Sequence, residues 1–168
     1  MLLATPRDLL IAQLRDLHSA EMQFEKAQVK LARTASNEAL GEAFLHHLDE
    51  SGGQLSRLAR CFKMLGVTPR GPKCKGMEGL LAEGAATLEA EGEPAVIDAA
   101  LIASAQRAEH YEIAAYRSAV ALAARLGFTE MVELLDQSLQ QEIFADETLT
   151  LIAEREVIPN AIAMGMAA

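Results

Sequence analysis

Aromatic residues are scarce in this chain of 168 residues: no Trp, two Tyr and five Phe, 4% in all. The apolar half is built instead mainly from Ala, Leu, Ile, Val and Met, a mixture that suits tightly packed helices better than sheets. Cysteine is nearly absent. Cys61 and Cys74 are too few for a disulfide framework and do not have zinc-site spacing with each other. Positive charge is also in short supply. Fifteen Lys and Arg face 24 Asp and Glu, for a net charge of −9. Such a surface repels phosphate backbones, so no nucleic-acid partner is expected. No apolar run approaches the roughly 20 residues that span a bilayer, so no membrane partner is expected either. Met1 to Thr5 is too short and too soon charged to read as a secretory leader, and the expected location is the cytoplasm. The length fits one domain with a core large enough to stand without disulfides or a structural metal.

What remains is helix, and no segment reads as a strand. Thr5-Pro6 is an N-cap followed by a first-turn proline, opening a helix over about 6–33. Ser36 and Asn37 open a second that runs to the Leu65-Gly66 stop. Pro69, Gly71 and Pro72 make 67–75 a loop. A short helix over about 74–90 is weakened by Gly76, Gly79 and Gly84. A third long helix runs from Pro94 to Leu126, and a fourth, capped by Thr129, ends near Glu156 before Pro159. The expected organisation is a bundle domain over 1–158 with an apolar tail over 159–168, either disordered or packed on a partner chain. Helices of this length measure about 42 Å at 1.5 Å per residue. Short links make the first pair and the last pair antiparallel neighbours. The long middle connection can cross the bundle from end to end, as in ferritin-like bundles. A faint repeat relates the halves: at an offset of 91 Glu21 falls on Glu112, and at 92 Glu50 falls on Glu142 and Gln54 on Asp146.

The inward stripes carry the informative departures. The first helix places Leu10, Leu14, Leu17, Glu21, Phe24, Gln28 and Leu31 on one face, in alternating steps of four and three. The second places His47, Glu50 and Gln54 mid-stripe, the third Glu109, Glu112 and Tyr116, the fourth Glu142 and Asp146. Each long helix thus has a carboxylate at its middle on the face that should be buried. Burying even one ionised carboxylate costs several kcal/mol without compensation, and clustered carboxylates raise one another's pKa. Protons, paired cations or bound metal could compensate. With no Lys or Arg among the central stripe residues, divalent metal is the economical solution, as in bundle-core di-metal sites. For any single Glu the plain alternative is a seam-edge side chain whose head reaches water; four mid-helix coincidences weigh against it. His18, His46 and His110 fall beside the stripes. Tyr111 and Tyr116 read as core packing, Cys61 as a small buried hydrophobe, and Cys74 as a loop thiol without a partner. Gly52-Gly53, within the second helix, reads as a tolerated kink, a local bulge or a close backbone approach.

Four stretches resemble the YciF-like stress-protein family, a branch of the ferritin-like superfamily. They are Leu14-Arg15-Asp16-Leu17-His18-Ser19-Ala20-Glu21, His47-Leu48-Asp49-Glu50, Pro69-Arg70-Gly71 through Met77-Glu78-Gly79-Leu80, and Glu109-His110-Tyr111-Glu112-Ile113-Ala114-Ala115-Tyr116. The likeness covers about 8–155. It implies an all-α, ferritin-like four-helix bundle with an extra short helix, a homodimer, and a rubrerythrin-like di-iron centre. Carried over by position, Glu21, Glu50, Glu109, Glu112 and Glu142 match the carboxylate ligands. The superfamily's Glu-x-x-His is absent: positions 53 and 145 are Gly and Ala, with Gln54 and Asp146 one residue further along as candidate substitutes, and His47, one turn before Glu50, as a candidate ligand or outer partner. An oxygen-rich site favours Mn, Mg or Fe over Zn or Cu. The expectation is two divalent ions, Fe foremost and Mn second, in a protein that reduces a small oxidant, peroxide or oxygen. The competing expectation is a metal-binding or structural dimer without catalysis. Storage in a hollow shell and a metal-free wet core rank behind both.

Overall fold

The computed structural model describes residues 3–165. Six α-helices occur in them: α1 Pro6–Thr34, α2 Glu38–Leu65, α3 Lys75–Leu88, α4 Pro94–Arg125, α5 Thr129–Ile152 and α6 Ile158–Gly165, with a π-helical turn over Ala153–Val157 before the last. No strand occurs among the described residues.

Local chemistry sets most of the helix ends. Thr5 closes a capping box with Asp8: the Asp8 amide donates to Thr5 Oγ1 and the Thr5 amide to Asp8 Oδ2. Asn37 caps α2 by accepting from the Leu40 amide at 2.9 Å. Gly66 ends it at φ 65, the left-handed region that glycine enters without strain. Three expectations fail. Phe128, with no side-chain hydrogen bond, stands at the cap position of α5, and Thr129 is the first helical residue. Cys74 is not a loop thiol without a partner but the buried N-cap of α3, its Sγ accepting from the Met77 amide. Helix continues past Pro159, because the wide turn just before it spares the backbone the bond that proline cannot make. The tail is therefore helical as far as Gly165, and Met166 to Ala168 lie outside the described residues. Gly52 and Gly53 sit in unbroken helix: a Cβ on Gly52 would meet nothing within 4 Å, and one on Gly53 only the Arg57 side chain. There is neither bulge nor close backbone approach at that pair.

The helices α1 and α2 form one hairpin, and α4 and α5 form the other. They pack as a four-helix bundle through α1 on α4 and α2 on α5, and α3, on the crossover, lies against α1 and α4. The core is split in two. One apolar cluster contains Leu10, Leu14, Leu58, Phe62, Met131 and Leu135. The other contains Phe24, Leu40, Phe44, Met77, Leu101 and Leu149. Between them lies a buried polar layer with Glu21, His47, Gln54, Glu109, Glu112 and Glu142.

Candidate metal centre

Each long helix supplies that layer from its middle, as the stripe periodicity requires. Glu21, His47, Gln54, Glu109, Glu112 and Glu142 are all at most 4% exposed. One donor atom from each of His47, Glu109, Glu112 and Glu142 can be chosen so that all four lie within 4.8 Å of one another. His47 Nε2 is 3.3 Å from Glu109 Oε2 and 3.5 Å from Glu142 Oε2. Its Nδ1 faces the other way, 3.5 Å from Oε2 of Glu50. Glu50 stands at the edge of the layer with its side chain 16% exposed, and the exposed His46 is its second imidazole neighbour at 3.6 Å.

Two neutral donors shape the cluster. Gln54 Nε2 donates to Glu142 Oε1. The Tyr116 hydroxyl donates to Glu21 Oε1. Both oxygens of Glu112, Oε2 of Glu109, Oε2 of Glu142 and both nitrogens of His47 are buried without a hydrogen-bond partner. Buried polar atoms are nearly always satisfied, so a convergent group of orphans marks a site built for something else. Three carboxylates and an imidazole with donor atoms converging on one space form a set that fits a divalent cation.

Electrostatics agree with that fit. Burial pushes the Glu21 carboxyl up to about 7, against the lowering effect of the Tyr116 hydrogen bond. Burial, followed by the neighbouring carboxylates, holds Glu112 and Glu142 well above the usual range. Burial alone would lower His47, but Glu109, Glu50 and Glu142 outweigh it and keep the imidazolium. Protons thus take the place of cations here, and metal must displace them.

Asp146 does not join the cluster. Gln106 Nε2 donates to its Oδ1 at 3.0 Å, and His110 Nε2 is 3.6 Å from the same oxygen. The equivalence of Gln54 and Asp146 in the repeat therefore breaks: one enters the polar layer and the other stays at its rim. Residues beyond the expected ligands also matter. Tyr116, which the stripe presents as core packing, is a donor to the cluster, because a buried hydroxyl must find an acceptor. Arg57 lies three residues beyond Gln54 on the flank of α2, donating to Ser138 Oγ and Gln141 Oε1, and its charge slightly lowers the Glu21 pKa. The layer is thus not without a cation nearby. Ser51 Oγ donates to Gln28 Oε1 at 3.4 Å, extending the layer toward α1.

Known proteins share both fold and sequence with this one. Protein YciF of Escherichia coli K12 is 40% identical over 162 residues, 96% of this chain and 98% of its own length. The crystal structure of that stress protein matches at a TM-score of 0.86 and 41% identity, over 89% of this chain and 95% of the other. YcfI from Rhodopseudomonas palustris matches at 0.85 and 38%, over 88% and 94%. A ferritin-like, diiron-carboxylate protein from Bacillus anthracis matches at 0.69 with 21% identity, over 89% and 99%, and speaks for the fold. The family model described as a domain of unknown function, DUF892, covers residues 5–162. With this match, and with YciF as a close relative along nearly its whole length, the chain belongs to the DUF892 family and has a ferritin-like helical fold.

Proposed function

We propose that this protein holds two divalent metal ions, Fe or Mn, within its polar layer and uses them to reduce a small oxidant, peroxide or oxygen. The observation that carries the reading is Glu112: both of its carboxylate oxygens are buried and unpartnered, amid His47, Glu109 and Glu142. YciF is described as a stress protein, which supports an oxidant as substrate. A bound pair of redox metal ions would supply the electrons.

Glu112, Glu109, Glu142 and His47 would be the ligands, with Glu21 and Glu50 completing the set from α1 and α2. Gln54 and Tyr116 each occupy one oxygen of Glu142 and Glu21, leaving the other free. These bonds aim the carboxylates, as outer partners of metal ligands commonly do. Reducing hydrogen peroxide takes two electrons and two protons and yields two waters. Glu21, with its pKa near 7, can carry a proton at neutral pH, and Tyr116 Oη holds its proton against that same carboxyl.

Elemental analysis of protein purified without a metal-affinity tag tests the reading, with Glu112→Gln and Glu142→Gln alongside. About two Fe or Mn per chain, depleted in both variants, is the expected result. Absence of stoichiometric metal from the wild type overturns it. A loaded protein whose spectrum stays constant through peroxide and reductant overturns the redox part and leaves a structural metal.

A further inference from the structure

A cleft of about 450 Å³ opens between α2 and the last turns of α5. Phe44, Phe144, Leu149 and Ile152 form its walls, with Ala43 and Ala145 leaving the space between them. Its floor is polar: His47 and Glu109, 4% and 1% exposed, line it, with His47 Nε2 and Glu109 Oε2 lacking hydrogen-bond partners. Glu42, Glu50 and His46 also line it.

The volume lies in the range of small-molecule sites, about 300–1,000 Å³, which are mostly apolar with a few placed polar groups. Dioxygen or hydrogen peroxide needs far less space. The cleft has an apolar wall of Phe44, Leu149, Ile152 and the half-exposed Phe144, a polar inner end at His47 and Glu109, and Glu42 and His46 at its exposed rim. Charge selects the head group. The lining sets both signs against each other, Glu42, Glu50 and Glu109 beside the imidazoles of His46 and His47, so neither an anion nor a cation meets a field of one sign. We propose that the cleft binds a small amphiphile with an alkyl or aryl body and an uncharged oxygen head, the chemistry of an organic hydroperoxide, with the head placed at His47 and Glu109. This inference rests on the metal reading above for the choice of head.

The chain has no Trp, so Phe144→Trp places a single indole, excited selectively over the two Tyr, on the cleft wall. The unreactive probe is 1-octanol, titrated into the metal-loaded and the chelator-treated protein. A saturable blue shift of the indole emission is expected, weakened at least tenfold when Ala145→Phe or Ala43→Leu is added to fill the cleft. Melting curves of both filled variants confirm that they fold. Metal content reads the earlier proposal and indole emission reads this one, so either can fail alone. Retained metal with no saturable shift overturns the cleft and leaves the metal centre standing. A shift indifferent to both filling substitutions overturns it too. Octanoate or octylamine binding the loaded protein as tightly as octanol overturns the neutral head. Emission that is already blue and varies with protein concentration without octanol means that a second copy covers the cleft, which also overturns it.

Discussion

His47 on α2 reaches across the bundle interior to Glu109 on α4, Nε2 to Oε2 at 3.3 Å, while its Nδ1 faces Glu50 one turn along its own helix. The imidazole therefore stands between an edge carboxylate and the buried cluster. It offers its nitrogens from the turn before Glu50, where the Glu-x-x-His pattern would place one on the turn after.

His47→Leu tests that role directly. Loss of a nitrogen ligand should weaken Fe(II) or Mn(II) binding by at least the roughly 10–100-fold seen when outer partners of ligands are removed. Equilibrium dialysis followed by elemental analysis reads it. Unchanged affinity would show that the imidazole only neutralises the apo cluster.

The metal-free protein should lose stability as pH rises. Glu21 titrates near 7 in the fold against 4.5 as its ordinary value. Between those values the folded state holds the extra proton, so unfolding becomes easier with increasing pH. His47, raised above 6.5, acts in the same direction: its contribution is complete below that value and is lost as pH climbs through the folded pKa. Melting temperature after chelation should therefore fall from pH 5 to pH 8. Metal loading should flatten the decline, since the cation replaces the protons. A chelated protein that melts higher at pH 8 than at pH 5 would contradict the assignment.

Asp98 on α4 ties down the start of α2. Its carboxylate, 2% exposed as a residue, accepts from the Ser36 amide at 2.9 Å and the Asn37 amide at 2.8 Å. Asp98→Ala removes the acceptor of two amides at the α1–α2 turn. The expected loss is about 1–3 kcal/mol, or several degrees in melting temperature for a chain of this size. Metal content should not change.

Two glycines of α3 should answer the same substitution with opposite signs. A Cβ on Gly76 would come 2.5 Å from Cε2 of Tyr111, whose hydroxyl is held by Asp16 and touches Cys74 Sγ at 3.0 Å. Gly76→Ala should cost about 1–3 kcal/mol from overpacking. A Cβ on Gly79 would meet nothing within 4 Å. Gly79→Ala should stabilise by about 0.5–1 kcal/mol through helix propensity. Denaturant melts of the two variants and the parent decide it.

Much of this was legible in the residues. Thr5, Pro6, Asn37 and Gly66 act within a turn of where they stand, so the first two helices could be bounded from local chemistry. The alternating four and three steps put Glu21, His47, Gln54, Glu109, Glu112 and Glu142 inside because helix periodicity is itself local. The α3 glycines looked only like weak helix formers, because the Tyr111 ring that Gly76 admits lies on another helix.

A helical bundle with a carboxylate at the middle of every long helix could be read residue by residue, since 3.6-residue periodicity and burial cost are properties of each segment alone. Which of those groups meet was settled by how the helices pack. Gln54 and Asp146 occupy matching places in the two halves, yet Gln54 donates to Glu142 while Asp146 accepts from Gln106. A stripe position specifies an angle around one helix axis. Whether the side chain there enters the shared layer depends on the neighbours that compete for its hydrogen bonds, and those come from distant parts of the chain. Pro159 teaches the same about helix ends: a breaker read locally is passed by helix once the preceding turn widens.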